Sequence, residues 1–306
     1  MEKAFGRHLP LASLFEAPSL EQLAQMLGSQ DLVPSWSALV PIQPQGGRPP
    51  LFCIHAHSGN VLFYRELAQQ LGRDQPVYGL QAVGLDGRQP PLHRVEDMAA
   101  HYLGEIRAVQ REGPYFLGGF CLGAYVALEM ARQLEAQRQE VALLACFNTD
   151  GAWKKADSFR RGIAFHLASL AGLGPRAKAT YLVERLGFRL GRIKYALSEL
   201  MCRIFLAFKR PLPRGLRNLH VAEADYRANR AYVAQAWSGA LTYFQAGGAV
   251  HRDPSVFWGE VATRGVEVHL VPGEGENIFR EPNVAVLAQH LRSCLEKARA
   301  APHGGL

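Results

Sequence analysis

Long hydrophobic runs are missing from this sequence of 306 residues: no apolar stretch reaches the roughly 18 residues of a membrane-spanning helix. Residues 1–20 contain acidic side chains and no long apolar segment, which is not the composition of a secretory signal. The five cysteines are scattered, odd in number, and without a C-x-x-C pair or another metal-ligand spacing. We therefore expect a cytoplasmic protein with no membrane partner and no metal, whose thiols are mostly small core residues.

Acidic side chains are scarce in one part of the chain. Between Trp153 and Ala240 there are 17 lysines and arginines but only 5 acidic residues, whereas the whole chain has a formal charge of +7. Such a segment is compatible either with solvated basic helix faces or with an acidic partner. Because no nucleic-acid-binding motif accompanies the charge, we rank an acidic protein partner above nucleic acid.

Short apolar runs alternate with amphipathic segments between residues 51 and 147. The runs LFCIH, PVYGLQ, YFLGGF and VALLACFN have the length and composition of buried strands, and helix-like segments separate them. Continuous apolar strands that alternate with helices predict a mostly parallel sheet covered on both faces. Strand signals return in LTYFQA and VEVHLVPG, and VAVLAQHLRSCLEKA predicts a closing helix.

The interruption of this alternation defines the expected domains. Residues 51–300 form the predicted α/β domain, and the basic, helix-forming segment at about 152–238 is a predicted lid inserted between the two halves of its sheet. Residues 1–30 contain two short helical patterns, the second capped by Ser19. Residues 31–50 are rich in proline and glycine, which predicts a linker.

The stretch G-F-C-L-G joins a strand end to a helix start. It matches the nucleophile-elbow pattern G-x-S-x-G, with Cys121 at the nucleophile position. Gly119 and Gly123 allow the tight turn that lifts this side chain above the sheet. The pKa of a thiol, about 8.5 in its ordinary state, is lowered at a helix N-terminus, so the nucleophilic thiolate forms without a strong base. The alternative interpretation is a buried cysteine in a tight turn.

In combination, these motifs resemble the thioesterase domains that release chains from nonribosomal peptide and polyketide synthases. IHAHSGNVLFYRELAQQL is similar to their first strand and oxyanion loop, GGFCLGAYVALEMARQL to their nucleophile elbow, and VEVHLVPGEGENIFREPNVAVLAQHL to their C-terminal segment. The resemblance implies an α/β-hydrolase fold with a helical lid, oxyanion-hole N–H groups at Ala56 and Leu122, and a structural role for His55. LPLASLFEAPSLEQLAQML is similar to the last helices of a carrier protein, so residues 1–30 are interpreted as a remnant of one.

The sequence departs from the catalytic triad of this family at all three positions. Cys121 replaces the usual serine, Asn148 occupies the position of the acid, and Gly275 occupies the position of the base. Gly275 cannot transfer a proton, and Asn148 can orient a donor but cannot offset the charge of an imidazolium. The vacant base position therefore needs a replacement, or the reaction proceeds without one.

Several residues are candidates for the missing groups. His57 lies in the expected oxyanion loop, and Glu274 and Glu276 flank the vacant position; a carboxylate acts as a base when desolvation raises its pKa. Asp150 replaces the acid only if the strand end shifts in register. For each of these residues the alternative interpretation is an ordinary loop side chain. A preformed Cys121 thiolate would need no protein base.

Three functions are consistent with this pattern. The resemblance implies that Cys121 accepts a small-molecule acyl chain from an upstream carrier domain, on whose phosphopantetheine the chain arrives, and that the domain itself binds no cofactor. Because the lost base would slow attack by water, we favour release by transfer, cyclisation or condensation. The alternatives are a hydrolytic thioesterase with His57 as the base, and a degenerate domain that only binds a carrier or another partner.

Overall fold

The computed structural model of the chain describes residues 19–28, 36–149, 197, 200–205, 207, 208, 210, 212–247 and 253–301. Within these residues seven strands form a sheet in the order β1-β3-β2-β4-β5-β6-β7. Their bounds are β1 (Leu39–Gln43), β2 (Leu51–Ile54), β3 (Val77–Leu80), β4 (Tyr115–Phe120), β5 (Val141–Phe147), β6 (Leu241–Ala246) and β7 (Val266–Val271). Strand β1 is antiparallel to β3, and every other neighbouring pair is parallel. The predicted mostly parallel sheet is confirmed.

Helices connect most of the strands, as the alternation in the sequence predicts. Their bounds are α1 (Leu20–Gly28), α2 (Tyr64–Leu71), α3 (Val95–Ile106), α4 (Leu122–Ala136), α5 (Arg214–Ala231), α6 (Pro254–Val261) and α7 (Asn283–Ala300). A 3₁₀ helix at Gly275–Phe279 and helix α6 were not predicted. Helix α5 is the part of the predicted lid whose bounds the structure gives; residues 150–196 of that lid lie outside the described residues. None of the helices in the described ranges is long and apolar enough to cross a membrane.

The core consists of two layers, one on each face of the sheet. Phe52 and Ile54 of β2 pack with α3 and α4 on one face. Leu51 and Cys53, whose side chains alternate with them along the strand, pack with α2 and α7 on the other face. All four side chains are fully buried. Helices on both faces explain why the sequence of this strand is continuously apolar.

The structure differs from the sequence prediction at residues 39–43, which were assigned to a linker at 31–50. These residues form the edge strand β1, and Val40 is fully buried in the core layer with α2 and α7. The prolines and glycines around LVPIQ favour a linker, so its apolar residues were not interpreted as a strand. Pro41 is compatible with a strand because edge strands tolerate a missing N–H, and the register shifts between Pro41 and Gln43.

The N-terminal helix α1 begins at the predicted cap. Oγ of Ser19 accepts a hydrogen bond from the N–H of Gln22 at 3.1 Å, and Oε1 of Gln22 accepts one from the N–H of Ser19 at 3.1 Å. This reciprocal pair satisfies two N–H groups at the helix start. The likeness of this segment to a carrier protein stays a prediction, and residues 1–18 lie outside the described residues.

The parallel strands bring the residues of interest to one edge of the sheet. Cys121 follows β4 and Asn148 follows β5, while His55 and His57 follow β2. The loops after parallel strands share the carboxyl edge, where α/β proteins bind their ligands. Strand β2 is the direct neighbour of β4, whereas β7 is three strands away from it, about 14 Å at the usual spacing between strands. The loop after β2 is therefore close to Cys121 because of the strand order alone.

Candidate active site

Cys121 occupies a strained turn between β4 and α4. Its backbone has φ 56° and ψ −119°, a conformation that non-glycine residues rarely adopt. A Cβ atom at Gly119 would lie 2.1 Å from the carbonyl oxygen of Gly123, so this position requires glycine. A Cβ atom at Gly123 would lie 2.6 Å from the carbonyl oxygen of Ile54. The two glycines therefore permit the close approach of three backbone segments that presents the partly exposed Cys121 side chain.

His57 is the histidine that contacts the Cys121 thiol. Its Nδ1 lies 3.0 Å from Sγ of Cys121, within hydrogen-bonding distance. Burial lowers the pKa of His57 below its ordinary value, since desolvation disfavours the imidazolium. A largely neutral imidazole at neutral pH is able to accept a proton, so the pair has the composition of a nucleophile and its proton acceptor.

The second ring nitrogen of His57 faces the helix α5. Nδ2 of Asn229 donates a hydrogen bond to Nε2 of His57 at 2.9 Å, and Asn229 is 2 % exposed. The contact joins residues 172 positions apart in the chain. Both ring nitrogens of His57 are thus engaged, one by the elbow and one by the predicted lid.

His55 holds the start of the same loop in place. Its Nδ1 lies 2.8 Å from the carbonyl oxygen of Ala56, which can only accept, so Nδ1 carries the proton and Nε2 accepts from the hydroxyl of Tyr102 at 2.7 Å. Burial lowers the pKa of His55 to about 4. Burial also raises the pKa of Asp225 well above its ordinary value, and its Oδ2 lies 3.7 Å from Nδ1 of His55.

Two backbone N–H groups lie on the segments that meet beside Cys121. Leu122 is the first residue of α4, so its N–H has no acceptor within the helix. The N–H of Ala56 has no hydrogen-bond partner among the described residues. The carbonyl of His55, directly before Ala56, approaches Gly123 so closely that a Cβ there would lie 2.7 Å from it. The arrangement can donate two hydrogen bonds to an oxyanion.

Asn148 makes its hydrogen bonds to the end of β6. Its Oδ1 accepts the N–H of Ala246 at 3.1 Å and its own N–H donates to the carbonyl of Phe244 at 2.7 Å, so both groups bind the end of β6. Its φ of 39° lies in the left-handed region, which asparagine tolerates better than most residues. The structure therefore does not bring the family's acid position together with the histidine that contacts Cys121.

The vacant base position is open to solvent. Gly275 has φ 53°, is exposed, and a Cβ atom placed on it would meet no atom within 4 Å. Glu274 and Glu276 are exposed, and neither makes a side-chain hydrogen bond to a residue that the structure describes. The structure does not bring Glu274 to the thiol as it brings His57. Asp150 lies outside the described residues.

Three buried polar residues of this region were missed in the sequence: Tyr102 on α3, and Asp225 and Asn229 on α5. The two residues on α5 are four positions apart and hence share one face of the helix. That spacing, with alanines at 224 and 228 beside them, is the signal available in the sequence. It carries no information about where the helix docks.

A second group of polar side chains lies on β7 and α7. Single ligand atoms of Glu267, His269 and Cys294 are within 4.8 Å of one another. Nζ of Lys297 binds Glu267 at 3.0 Å, which already supplies a positive charge, and Nε2 of His269 lies 3.4 Å from Sγ of Cys294. Burial raises the pKa of Cys294 to about 11. We assign these contacts to an ion pair and hydrogen bonds at the sheet edge.

Comparison with known families decides the class of the domain. Residues 49–158, which include β2 to β5 and the elbow, match the family model of the thioesterase domain. The match assigns this part of the chain, residues 49–158, to the thioesterase domain family. The predicted thioesterase family is confirmed for this segment. The prediction of a thioesterase-like hydrolase or acyltransferase is confirmed with it.

The chain is also similar in sequence to curated proteins and in fold to a solved structure. The thioesterase domain is similar to malpinin synthetase of Mortierella alpina, with 41% identity over 151 residues, 49% of this chain and 2% of that protein. It is 41% identical over 144 residues to the dimodular nonribosomal peptide synthase of Bacillus subtilis, 47% of this chain and 6% of that protein. The chain thus spans only a small part of these relatives. The NocB thioesterase domain in a covalent complex with a fluorophosphonate nocardicin G analog has the same fold, with a TM-score of 0.60, 22% identity, and coverage of 85% of this chain and 100% of that one.

Proposed function

We propose that this thioesterase domain takes an acyl chain from a carrier-bound thioester onto Cys121 and passes it to an acceptor, with His57 moving the proton. The observation that carries the proposal is the 3.0 Å contact between Nδ1 of His57 and Sγ of Cys121. The family residues for this task are replaced by Asn148 and Gly275, so the thiol has its proton acceptor in a different loop.

In the first half-reaction, the Cys121 thiol gives its proton to Nδ1 of His57, and the sulfur attacks the carbonyl carbon of the incoming thioester. The N–H groups of Ala56 and Leu122 stabilise the negative oxygen of the tetrahedral intermediate. When the intermediate collapses, the bond to the carrier's phosphopantetheine sulfur breaks, and that sulfur takes the proton from His57. The products are an acyl thioester on Cys121 and a free carrier thiol.

In the second half-reaction, the acceptor gives its proton to His57 and attacks the acyl carbon. The bond to Cys121 breaks, and its sulfur recovers the proton from His57. Exchange of one thioester for another leaves the acyl group as activated as it was on the carrier. An amine, a thiol or an acidic C–H group, which becomes a carbanion as it gives its proton to His57, therefore competes well with water, and this supports transfer, cyclisation or condensation as the release step.

Hydrolysis with His57 as the base is the second candidate, and the same contact favours it. A histidine within reach of the thiol is also within reach of a water that approaches the acyl carbon. If His57 acts as the base, attack by water is not slowed by the lack of one. The choice between the two candidates depends on the acceptor that occupies the space above Cys121.

A degenerate binding domain is the candidate that the geometry supports least. A site without catalytic use would need neither a strained cysteine at the elbow, nor a half-buried histidine against its sulfur, nor an asparagine against that histidine. Strain of this kind costs about 1–3 kcal/mol and persists where the surrounding structure maintains it.

The proposed carrier partner is supported by the named relatives and by the charge of the chain. Of the relatives cited above, one is named a dimodular nonribosomal peptide synthase and the other a synthetase, and the segment from Trp153 to Ala240 is strongly basic. A basic surface favours docking of an acidic carrier and accelerates its association. Lys154 and Lys155 of this segment lie outside the described residues.

Intact-mass spectrometry with a short acyl thioester of a simple thiol tests the first half-reaction. We expect an acyl adduct on the wild type and none on Cys121→Ala, since the thiol forms the covalent bond. The matched control Cys294→Ser, at a buried cysteine on α7, keeps the adduct. The proposal fails if the wild type carries no adduct, or if Cys121→Ala carries as much.

Product analysis in isotope-labelled water then separates the two candidates for release. Hydrolysis incorporates one labelled oxygen into the released acid. Transfer, cyclisation or condensation yields an ester, amide, thioester or carbon–carbon bond without label. A released acid with label in the presence of amine and thiol acceptors would establish the hydrolytic candidate.

A further inference from the structure

One face of helix α5 lies against the loop that carries both active-site histidines. Val221, Asp225 and Asn229 recur at a spacing of four residues, and their exposures are 0, 1 and 2 %. The Cγ1 atom of Val221 would lie 2.8 Å from a Cβ atom on Gly59. Asp225 contacts His55, and Asn229 contacts His57. Residues at i, i+4 and i+8 share one helix face, so α5 touches this loop along two helical turns.

The amide of Asn229 determines which nitrogen of His57 carries the proton. With Nδ2 donating to Nε2, Nε2 is an acceptor, so the proton of the neutral ring is on Nδ1 and faces the Cys121 sulfur. A ring in this form cannot take the proton of the thiol. Rotation of the amide by about 180° brings Oδ1 to the same place. Nε2 then carries the proton, and the lone pair of Nδ1 faces the thiol.

Rotation of the Asn229 amide breaks no hydrogen bond of its oxygen within the part of the chain that the structure describes. Oδ1 of Asn229 is buried there without a hydrogen-bond partner. Its rotation gives this oxygen the N–H of Nε2 as a partner, in exchange for the bond that Nδ2 makes now. The rotated form also suits the reaction, because the imidazolium that forms after proton transfer has two N–H groups and needs an acceptor at Nε2.

We infer that Asn229, supplied by the lid helix α5, is the positioning residue of His57 and completes a Cys121–His57–Asn229 triad. The inference rests on the proposed function, since it assumes that His57 exchanges a proton with Cys121. Asn148 does not have this role, because its Oδ1 accepts the N–H of Ala246. The orienting residue has thus moved from the end of β5 to the lid, and the base is correctly oriented only when α5 is in contact with the loop.

The pH dependence of Cys121 alkylation by iodoacetamide tests this inference without any substrate. Peptide mass spectrometry measures the rate at Cys121 alone, in the wild type, Asn229→Leu, Asn229→Asp and Asn218→Leu. Asn218 lies exposed on the same helix, so its variant is the matched control. Leucine cannot accept from Nε2, whereas aspartate accepts more strongly than asparagine and stabilises the imidazolium.

We expect Asn229→Leu to slow alkylation near neutral pH by about tenfold or more and to move the midpoint of the profile to higher pH. Asn229→Asp keeps fast alkylation and moves the midpoint below that of Asn229→Leu by about one pH unit or more. Asn218→Leu reacts as the wild type does. Thermal unfolding of each variant, monitored in parallel, identifies a loss of fold, and Asn229→Asp keeps the test decisive if the leucine variant unfolds.

The inference is overturned if Asn229→Leu is folded and has the midpoint and rate of Asn218→Leu, or if all Asn229 variants share one midpoint. This outcome differs from failure of the proposed function. If the proposed function fails, the wild type forms no acyl adduct on Cys121, whatever the alkylation profiles of the Asn229 variants are.

Discussion

Two groups of residues at the carboxyl edge of the sheet differ in what they offer to Cys121. At the ends of β5 and β7, Asn148 is bonded to the backbone of β6, and Gly275 has no side chain. In the loop after β2 and on α5, His57 contacts Cys121 at 3.0 Å, and Asn229 contacts His57 at 2.9 Å. The first group holds the predicted acid and base positions and makes no hydrogen bond to Cys121 or His57 in the described structure, whereas the second group contacts both.

The sheet order explains how one group can replace the other. Strand β2 pairs directly with β4, so a histidine three residues after β2 reaches the elbow from a short loop. A base after β7 must instead return across the ends of β5 and β6. A change of base from β7 to the loop after β2 therefore needs no change in the fold, and the two groups can be compared by substitution within one protein.

The largest difference between the two groups is expected for their proton acceptors. His57→Ala should lower the rate of acyl transfer to Cys121 by about 10²–10³-fold, because the thiol loses the group that takes its proton. Glu274→Ala should change the rate by less than about twofold. Rapid-quench measurement of acyl-enzyme formation gives both rates. A greater loss of rate in Glu274→Ala than in His57→Ala would contradict the assignment of His57 as the proton acceptor.

A second difference separates Cys121 from the thiols of the core. Cys53 is fully buried, and burial raises its pKa well above the ordinary value, so its thiolate does not form in the native protein near pH 7. We expect alkylation of Cys53 to be about a hundredfold slower than that of Cys121, since it requires local opening of the sheet. Comparable rates at the two sites would show that the elbow does not activate its thiol.

The same burial makes stability depend on alkaline pH. A thiol whose folded-state pKa is raised contributes stability that is complete below its unfolded pKa and is lost as pH rises. For Cys53 the unfolding free energy should fall above about pH 9, by up to about 1.4 kcal/mol per pH unit. Cys53→Val removes this contribution, so its denaturation midpoint should fall less steeply. Parallel pH profiles of the two proteins would contradict the assignment.

A smaller effect is expected when the vacant base position is filled. Gly275→His fits sterically, although a left-handed φ of 53° costs about 1 kcal/mol of stability in a non-glycine residue. In the His57→Ala background, Gly275→His should raise the rate of acyl-enzyme formation by less than about twofold. The new histidine is not oriented, because Asn148 is hydrogen-bonded to β6. Full recovery of acyl-enzyme formation would show that the family arrangement is still functional.

The smallest effect is expected at the family's acid position. Asn148→Asp should alter acyl-enzyme formation by less than about 1.5-fold, since its side chain makes no hydrogen bond to His57 in the described structure. Asn148→Ala should cost about 1 kcal/mol of stability through the lost hydrogen bond to Ala246. A large loss of activity in Asn148→Asp, with unchanged stability, would return the catalytic role to the end of β5.

The sequence predicted the sheet well because the strands are continuous apolar runs bounded by turn residues. The bounds of β4 and β6 are those of YFLGGF and LTYFQA. The prediction was wrong for β1, where Pro41 and the surrounding glycines and prolines suggested a linker. An edge strand needs few apolar residues and tolerates proline, so its signal is weak in the sequence alone.

The sequence named two of the three side chains in the proposed site as candidates, Cys121 and His57. The elbow is a local pattern, and the loop after β2 must lie near it because the two parallel strands end at one edge, so Cys121 and His57 both followed from the sequence. Asn229 did not follow, because the docking of α5 depends on tertiary packing across 172 residues. Glu274, equally close to a family motif, is exposed in the structure and has no contact with the thiol.

The rate of Cys121 alkylation as a function of pH, measured in the wild type and in His57→Ala, shows whether His57 exchanges a proton with the thiol. If His57 is the proton partner, the midpoint of the alkylation profile should lie about one pH unit or more higher in His57→Ala than in the wild type, although the helix N-terminus lowers the pKa of the thiol in both proteins. If the two proteins have the same profile, His57 does not share a proton with Cys121, and the account of this site is wrong.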